Sequence, residues 1–164
     1  MKAIWFIGNI ETTLLLHLYL KEADEVVFLD HGRWSPEVYS YLREAEEFFG
    51  FSAKRLDVEA VPPESLKDWC LYLRREFLLP YLEGGGFTVV YEPLREARPL
   101  GQRVEERFPL EGMGDYEIWL NIRKRGLPFC PLYLKGFKRV SCAPRGGGEG
   151  GEDFSSRLSS MGYL

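Results

Sequence analysis

Apolar and polar residues fall in blocks along the first forty positions. An apolar run, Ala3-Ile4-Trp5-Phe6-Ile7, ends at Gly8. Its length and its abrupt end read as a buried strand. Asn9-Ile10-Glu11 form a short loop, and the leucine-rich stretch Leu14-Leu15-Leu16-His17-Leu18 predicts a helix starting near Thr12-Thr13. A second apolar run, Val26-Val27-Phe28-Leu29, ends in Asp30-His31-Gly32, and Ser35-Pro36-Glu37 opens another helix. Strand, glycine turn, helix, and strand with an acidic end make the opening of an open α/β sheet. Such sheets bind ligands at the carboxyl ends of their strands, where helix N-termini also point.

The alternation continues. Val38, Tyr41, Leu42, Ala45, Phe48 and Phe49 have helical spacing, with Pro36 in the first turn and Gly50 at the stop. Residues 51–58 read as a short third strand, and Val61-Pro62-Pro63 breaks the chain. Ser65 with Asp68 resembles a capping box, and Leu66, Trp69, Cys70, Leu73 and Phe77 form one helix stripe, which Pro80 and Gly84-Gly85-Gly86 end. Phe87 to Tyr91 is a β-branched and aromatic fourth strand. Leu94 to Met113, rich in Arg, Pro and Gly, reads as a long loop, and loops of that length are usually functional or mobile. Asp115 to Lys124 reads as a short helix with Ile118, Trp119 and Ile122 on one side, and Lys138 to Cys142 as a last short strand. The expected architecture is a three-layer α/β sandwich with a mostly parallel sheet and a short C-terminal α/loop region. The right-handed crossover rule places the loop after Phe6-Ile7 near the one after Val90-Tyr91. One domain spans 1–143, and the Gly- and Ser-rich 144–164 is a flexible tail suited to a protein partner or a second copy.

Composition removes some functions. The 164 residues suffice for one domain with a real core. The net charge of −4 argues against a nucleic-acid partner, which usually meets a basic domain. The N-terminal apolar run is too short for a membrane span or a signal peptide. Cys70, Cys130 and Cys142 lack CxxC spacing and read as reduced thiols of a cytoplasmic protein. Asn9, Asn121 and Gln102 are the only side-chain amides, a composition common in thermophilic chains.

Several segments together carry a family resemblance. Phe6-Ile7-Gly8-Asn9-Ile10-Glu11-Thr12-Thr13 with Leu14 to Leu18 resembles the PP-loop, FSGGKDSTxLLHL, of the adenine nucleotide alpha hydrolase-like superfamily. Val27 to Gly32 with Pro36-Glu37-Val38-Tyr39 resembles the VFxDTG…FPETY segment of its phosphoadenosine phosphosulfate (PAPS) reductase branch. The stretch from Leu127 to Tyr133 with Lys135 to Cys142 is similar to that branch's LPYNPLYDKGYxRxGCxPC, and the helix at Asp115 to its DVWxYI helix. The four matches lie in register over residues 3 to 145.

The resemblance implies an adenine nucleotide or sulfonucleotide ligand. Its base would lie near Phe6, Leu29 and Asp30. Its phosphates would lie at Gly8, Asn9, Ile10, Glu11 and Thr12, closed over by Arg95, Arg98, Lys135 and Arg139. Two chemistries are implied: ATP cleavage with magnesium to adenylate an acceptor, for which Glu11 and Asp30 are the candidate catalytic or metal-binding acids, and sulfonucleotide reduction. Departures from the pattern weaken both. Ile7 and Ile10 replace a serine and a frequent lysine of the phosphate loop, and Asn9 replaces a glycine, where its tolerance of the left-handed region would preserve the turn. No ECGLH segment exists, so thiol-dependent reduction is not expected. Three cysteines, with Arg145 in place of a fourth, leave no four-cysteine iron–sulfur site.

Each candidate has a plainer reading. His17 on a leucine-rich helix reads as packing or as a ligand. His31 reads as a site residue or a loop histidine, and Asp30 as a ribose or metal contact or a turn cap. Glu11 suits a helix N-terminus in any case. The arginines of 95–107 read as an anion clamp, as solvated charges, or, in a third reading, as a nucleic-acid contact. Cys70 reads as core and Cys142 as a small packing thiol. The alternative to an enzyme is a catalytically inactive nucleotide-binding or protein-interaction module that kept the fold.

Overall fold

The most apolar stretch of the chain becomes the central strand. In β1 (Lys2–Phe6) every residue from Ala3 to Phe6 is fully buried. A parallel strand covered on both faces has no solvent side for a polar residue, so it reads as a continuous apolar run. The structure is a computed structural model and describes residues 1–59 and 68–142. The Ser65 cap, the Val61-Pro62-Pro63 break and the 144–164 tail lie outside the described residues.

Helix α1 (Ile10–Tyr19) returns the chain to β2 (Glu25–Asp30), which pairs parallel with β1. Helix α2 (Pro36–Phe49) has Pro36 in its first turn and ends at Gly50, whose φ of 77° is a left-handed cap. It leads to β3 (Lys54–Asp57) beside β2. Then follow α3 (Trp69–Leu73), a π-helical turn over Arg74–Leu78, and α4 (Leu79–Gly84). β4 (Val89–Tyr91) pairs with the other side of β1, and β5 (Glu105–Arg107) pairs with β4. Helix α5 (Asp115–Arg125) and a 3-10 turn (Pro131–Lys135) complete the described chain. The sheet order is β3-β2-β1-β4-β5, and every pairing is parallel. Charged residues dominate the two edge strands, Leu56 being the exception, which discourages pairing with another sheet.

Several sequence expectations need correction. Helix α1 begins at Ile10, because Asn9 caps it from extended backbone (φ −86°, ψ 171°) instead of occupying the left-handed region. The helix is buried from Ile10 to Leu16 and then emerges, which leaves His17 exposed instead of packed. Pro80 does not end its helix. The π turn before it shifts the hydrogen-bond register, and Pro80 falls in the first turn of α4, where its missing N–H costs little. The long loop contains β5, and residues 138–142 form no strand.

The cysteine reading also changes. Cys70 and Cys142 form a disulfide, with Cα atoms 5.3 Å apart. The fold brings the start of α3 against the 138–142 segment, and a separation of 72 residues hides that meeting in the sequence. Cys130 remains a free, buried thiol, and burial pushes its pKa up to about 12. No helix among the described residues is long and apolar enough to cross a membrane.

Candidate functional site

The carboxyl ends of β1 and β4 lie side by side, so the start of α1 meets the loop after β4. Asn9 Nδ2 donates to Pro93 O at 2.9 Å, and Arg95 Nε donates to Glu11 Oε1 at 2.6 Å. This is the juxtaposition that the crossover rule predicts. A cavity of about 360 Å³ opens there, within the range of small-molecule sites, roughly 300–1,000 Å³. Ile7, Pro93, Leu94 and Val140 give it an apolar wall, while Arg74, Arg95, Arg98, Lys138 and Arg139 bring positive charge. Glu11, Asp68 and Glu96 bring the opposite charge.

Helix N-termini leave amides without intrahelical partners, and that is why they hold phosphate. In α1 the chain itself answers two of them, at Ile10 and Thr12. Asn9 Oδ1 accepts from Thr12 N at 2.9 Å and from Thr12 Oγ1 at 2.6 Å. Tyr133 Oη accepts from Ile10 N at 2.9 Å. Thr12 Oγ1 accepts from Ile7 N at 3.3 Å. Tyr133 is a site residue that sequence reasoning missed as such, although it lies in a segment matching the family pattern.

Two buried ion clusters border the cavity. In the first, Arg95 bridges Glu11 and Asp115, with side-chain exposures of 22%, 10% and 15%. Burial raises the Glu11 pKa above the ordinary carboxylate value in spite of Arg95. Burial opposes the charge on Arg95 too, but Glu11 and Asp115 outweigh it and hold the guanidinium charged. In the second, Arg74 donates from Nε to Glu92 at 3.0 Å and from Nη2 to Glu106 at 2.6 Å and to Arg98 O at 2.8 Å. Glu106 also accepts from Leu100 N at 2.5 Å. The side chains of Arg74, Glu92 and Glu106 are at most 3% exposed. Burial raises the Glu92 pKa to about 8, since Arg74 only partly offsets it and Glu106 adds a second acid. Arg74 carries no sequence signal, because it sits among apolar residues of a helix stripe.

The β1–β2 side is different. Phe6 is fully buried and stacks on Tyr41 at 5.5 Å. Leu29 O accepts from Trp34 Nε1 at 3.1 Å, and the Trp34 ring stacks on His31 at 4.5 Å and 18°. Asp30 Oδ1 accepts from Tyr39 Oη at 2.7 Å and from Gly32 N at 2.8 Å. His31 Nδ1 accepts from Arg33 N, and Nε2 pairs with Cys142 O, each at 3.0 Å. These two bonds assign a neutral ring protonated on Nε2, and burial lowers its pKa accordingly.

The remaining candidates are divided. Gly8 has φ +84°, and a Cβ there would stand 3.1 Å from Val38 Cγ1. Its glycine therefore serves the turn and the packing of α2. Lys135 pairs with Glu37 at the start of α2, away from the cavity lining. Arg98 is exposed and pairs with Glu96 at 2.7 Å, and Arg139 is exposed at the cavity wall. The sequence candidates thus form two groups: Asn9, Glu11, Arg95, Arg98 and Arg139 at the cavity, and Phe6, Leu29 and Asp30 beneath the Trp34 cluster.

The two acids that the resemblance offers to magnesium are already engaged by protein groups. Glu11 is ion-paired to Arg95 and Asp30 is bonded to Tyr39 and Gly32, and among the described residues no group of three or more His, Cys, Asp or Glu side chains could hold a metal ion. Cys70 and Cys142 bond each other and, in that state, offer no thiolate to an iron–sulfur cluster.

No family model and no curated protein sequence matches the chain. Solved structures do. PAPS reductase from Candida auris, determined with phosphate, superposes with a TM-score of 0.69 at 15% identity, over 90% of this chain and 83% of that one. FMN adenylyltransferase from Candida glabrata, determined with ATP, gives 0.61 at 19% identity over 83% of this chain, which spans half of that enzyme. The U34-tRNA thiolase NcsA from Methanococcus maripaludis, with its [4Fe-4S] cluster, gives 0.56 at 12% identity, over 98% of this chain and 64% of that one. The chain has the adenine nucleotide alpha hydrolase-like fold, in a form similar to PAPS reductase.

Proposed function

We propose that this protein binds a small phosphorylated or sulfated ligand, an adenine nucleotide or sulfonucleotide, in the cavity between α1 and the loop after β4. It holds the ligand without cleaving an ATP pyrophosphate. The observation that carries the binding is the cavity itself, with Arg95, Arg98, Lys138 and Arg139 around an apolar wall that suits a base. Arginine suits phosphate and sulfate because its planar fork donates two parallel hydrogen bonds. Structural neighbours determined with phosphate and with ATP support the same ligand class.

The α1 N-terminus argues against adenylation. Tyr133 and Asn9 already accept from the Ile10 and Thr12 amides, and Glu11 is held by Arg95. A phosphate chain would have to displace all three groups. Trp34 likewise occupies the Leu29 carbonyl, where the resemblance places a base. The chain is thus a binding module, the ligand lying on the β1–β4 side.

Calorimetric titration with AMP, adenosine phosphosulfate and ATP, run beside an ATP–pyrophosphate exchange assay, tests the reading. Binding of at least one ligand, lost on Arg95→Ala, and no exchange are expected. Exchange activity above a protein-free control would restore the enzyme reading. No heat from any of the three would remove the nucleotide.

A further inference from the structure

The Cys70–Cys142 bridge ties together two walls of the cavity. Cys70 lies on α3 beside Asp68 and Arg74, and Cys142 follows the wall segment Lys138 to Ser141. The 138–142 segment belongs to no helix or strand. The disulfide, the His31–Cys142 hydrogen bond and the burial of Val140 and Cys142 hold it in place. The two residues are unequally exposed: Cys142 is fully buried, whereas Cys70 is half-buried and lines the cavity. A thiol reagent therefore reaches the bridge at Cys70, from the same space that would hold the ligand. Arg139, exposed at the wall of that space, would favour an attacking thiolate there.

We propose that Cys70 and Cys142 form a redox site whose state sets the anion affinity of the cavity; this rests on the binding reading above. The reactant class is a dithiol. Its thiolate attacks Cys70 Sγ, the S–S bond breaks, and Cys142 leaves as a thiolate that takes up a proton. The second thiol of the reagent then attacks the mixed disulfide and releases Cys70. The reagent ends as a disulfide, having supplied two electrons and two protons. In the oxidised state Lys138 and Arg139 are fixed opposite α3, and the cations that meet an anion are preassembled. In the reduced state their segment loses its covalent tie, and ordering it again opposes binding.

The test is titration of the full chain with AMP and with inorganic sulfate, before and after a dithiol reductant. Thiol counting and near-ultraviolet circular dichroism are recorded on the same samples. Affinity should fall about tenfold or more on reduction, equivalent to about 1.4 kcal/mol. Reoxidation should restore it. Cys70→Ser and Cys142→Ser should bind like the reduced protein and ignore the reductant. Equal affinity in both states, with the thiols shown to be free, would overturn the redox site and leave the binding reading intact. No binding in either state would overturn both. Collapse of the circular dichroism signal on reduction would make the bridge a structural staple and would also overturn the proposal.

Discussion

The two sides of the β1 carboxyl end differ in how each fills its space. On the β2 side, aromatic rings occupy it: Trp34 on the Leu29 carbonyl, His31 on Trp34, and Phe6 on Tyr41. On the β4 side, ions occupy it and leave a cavity: Arg95 between Glu11 and Asp115, and Arg74 between Glu92 and Glu106. Both are built on residues that resemble one family pattern, and the cavity described above lies on the β4 side. Rings packed at protein-interior density leave few voids larger than a water molecule. Charged pairs need specific geometry and solvation, and they tolerate a polar opening beside them.

The sharpest way to break this contrast is to empty the aromatic half. Trp34 is 5% exposed, and truncation of a buried aromatic typically costs about 3–5 kcal/mol. Trp34→Ala should therefore lower stability by about that much in urea unfolding, while freeing the Leu29 carbonyl. If added adenosine then restores melting temperature in the variant and not in the wild type, the aromatic cluster is the plug of a lost base site. Equal response in both would remove that interpretation.

A smaller effect sharpens the ionic half. Glu92 has a pKa of about 8, against an ordinary value of 4.5. The folded state thus binds a proton that the unfolded state releases. This contribution is fully present below about pH 4.5 and is lost as pH rises through about 8. Glu92→Gln keeps a neutral, hydrogen-bonding side chain. It should flatten the decline in stability between those two values and be the more stable protein above the upper one. Parallel stability–pH curves for wild type and variant would disprove a proton on Glu92.

The smallest effect should come from Arg139, which is exposed at the cavity wall. Arg139→Ser should change stability by within about 0.5 kcal/mol, yet weaken AMP binding several-fold. A stability loss well beyond that with unchanged affinity would make it a packing residue.

The elements with strong periodicity were legible from the sequence: β1, β2, α2 and α5 lie where the apolar pattern places them, and α1 differs only in its earlier start at Ile10. So was the meeting of Glu11 with the loop after β4, which follows from topology alone. What escaped was set by distant partners. β5 is Glu105-Glu106-Arg107, an edge strand whose short charged sequence has no strand pattern. Asn9 takes extended backbone because capping Thr12 and bonding Pro93 reward that geometry. The Arg74 cluster and the disulfide join residues that no spacing rule relates.

The bond between Tyr133 Oη and the Ile10 amide spans 123 residues and has a consequence for synthesis. A ribosome delivers α1 first and its tyrosine partner last. At roughly 5–20 residues per second, those 123 residues take about 6–25 s to arrive. Throughout that interval the leucine-rich first helix waits without the group that closes its leading end, and without α5, which packs beside it. The nascent chain must therefore keep this leucine-rich segment away from other chains until nearly the whole described sequence has left the tunnel.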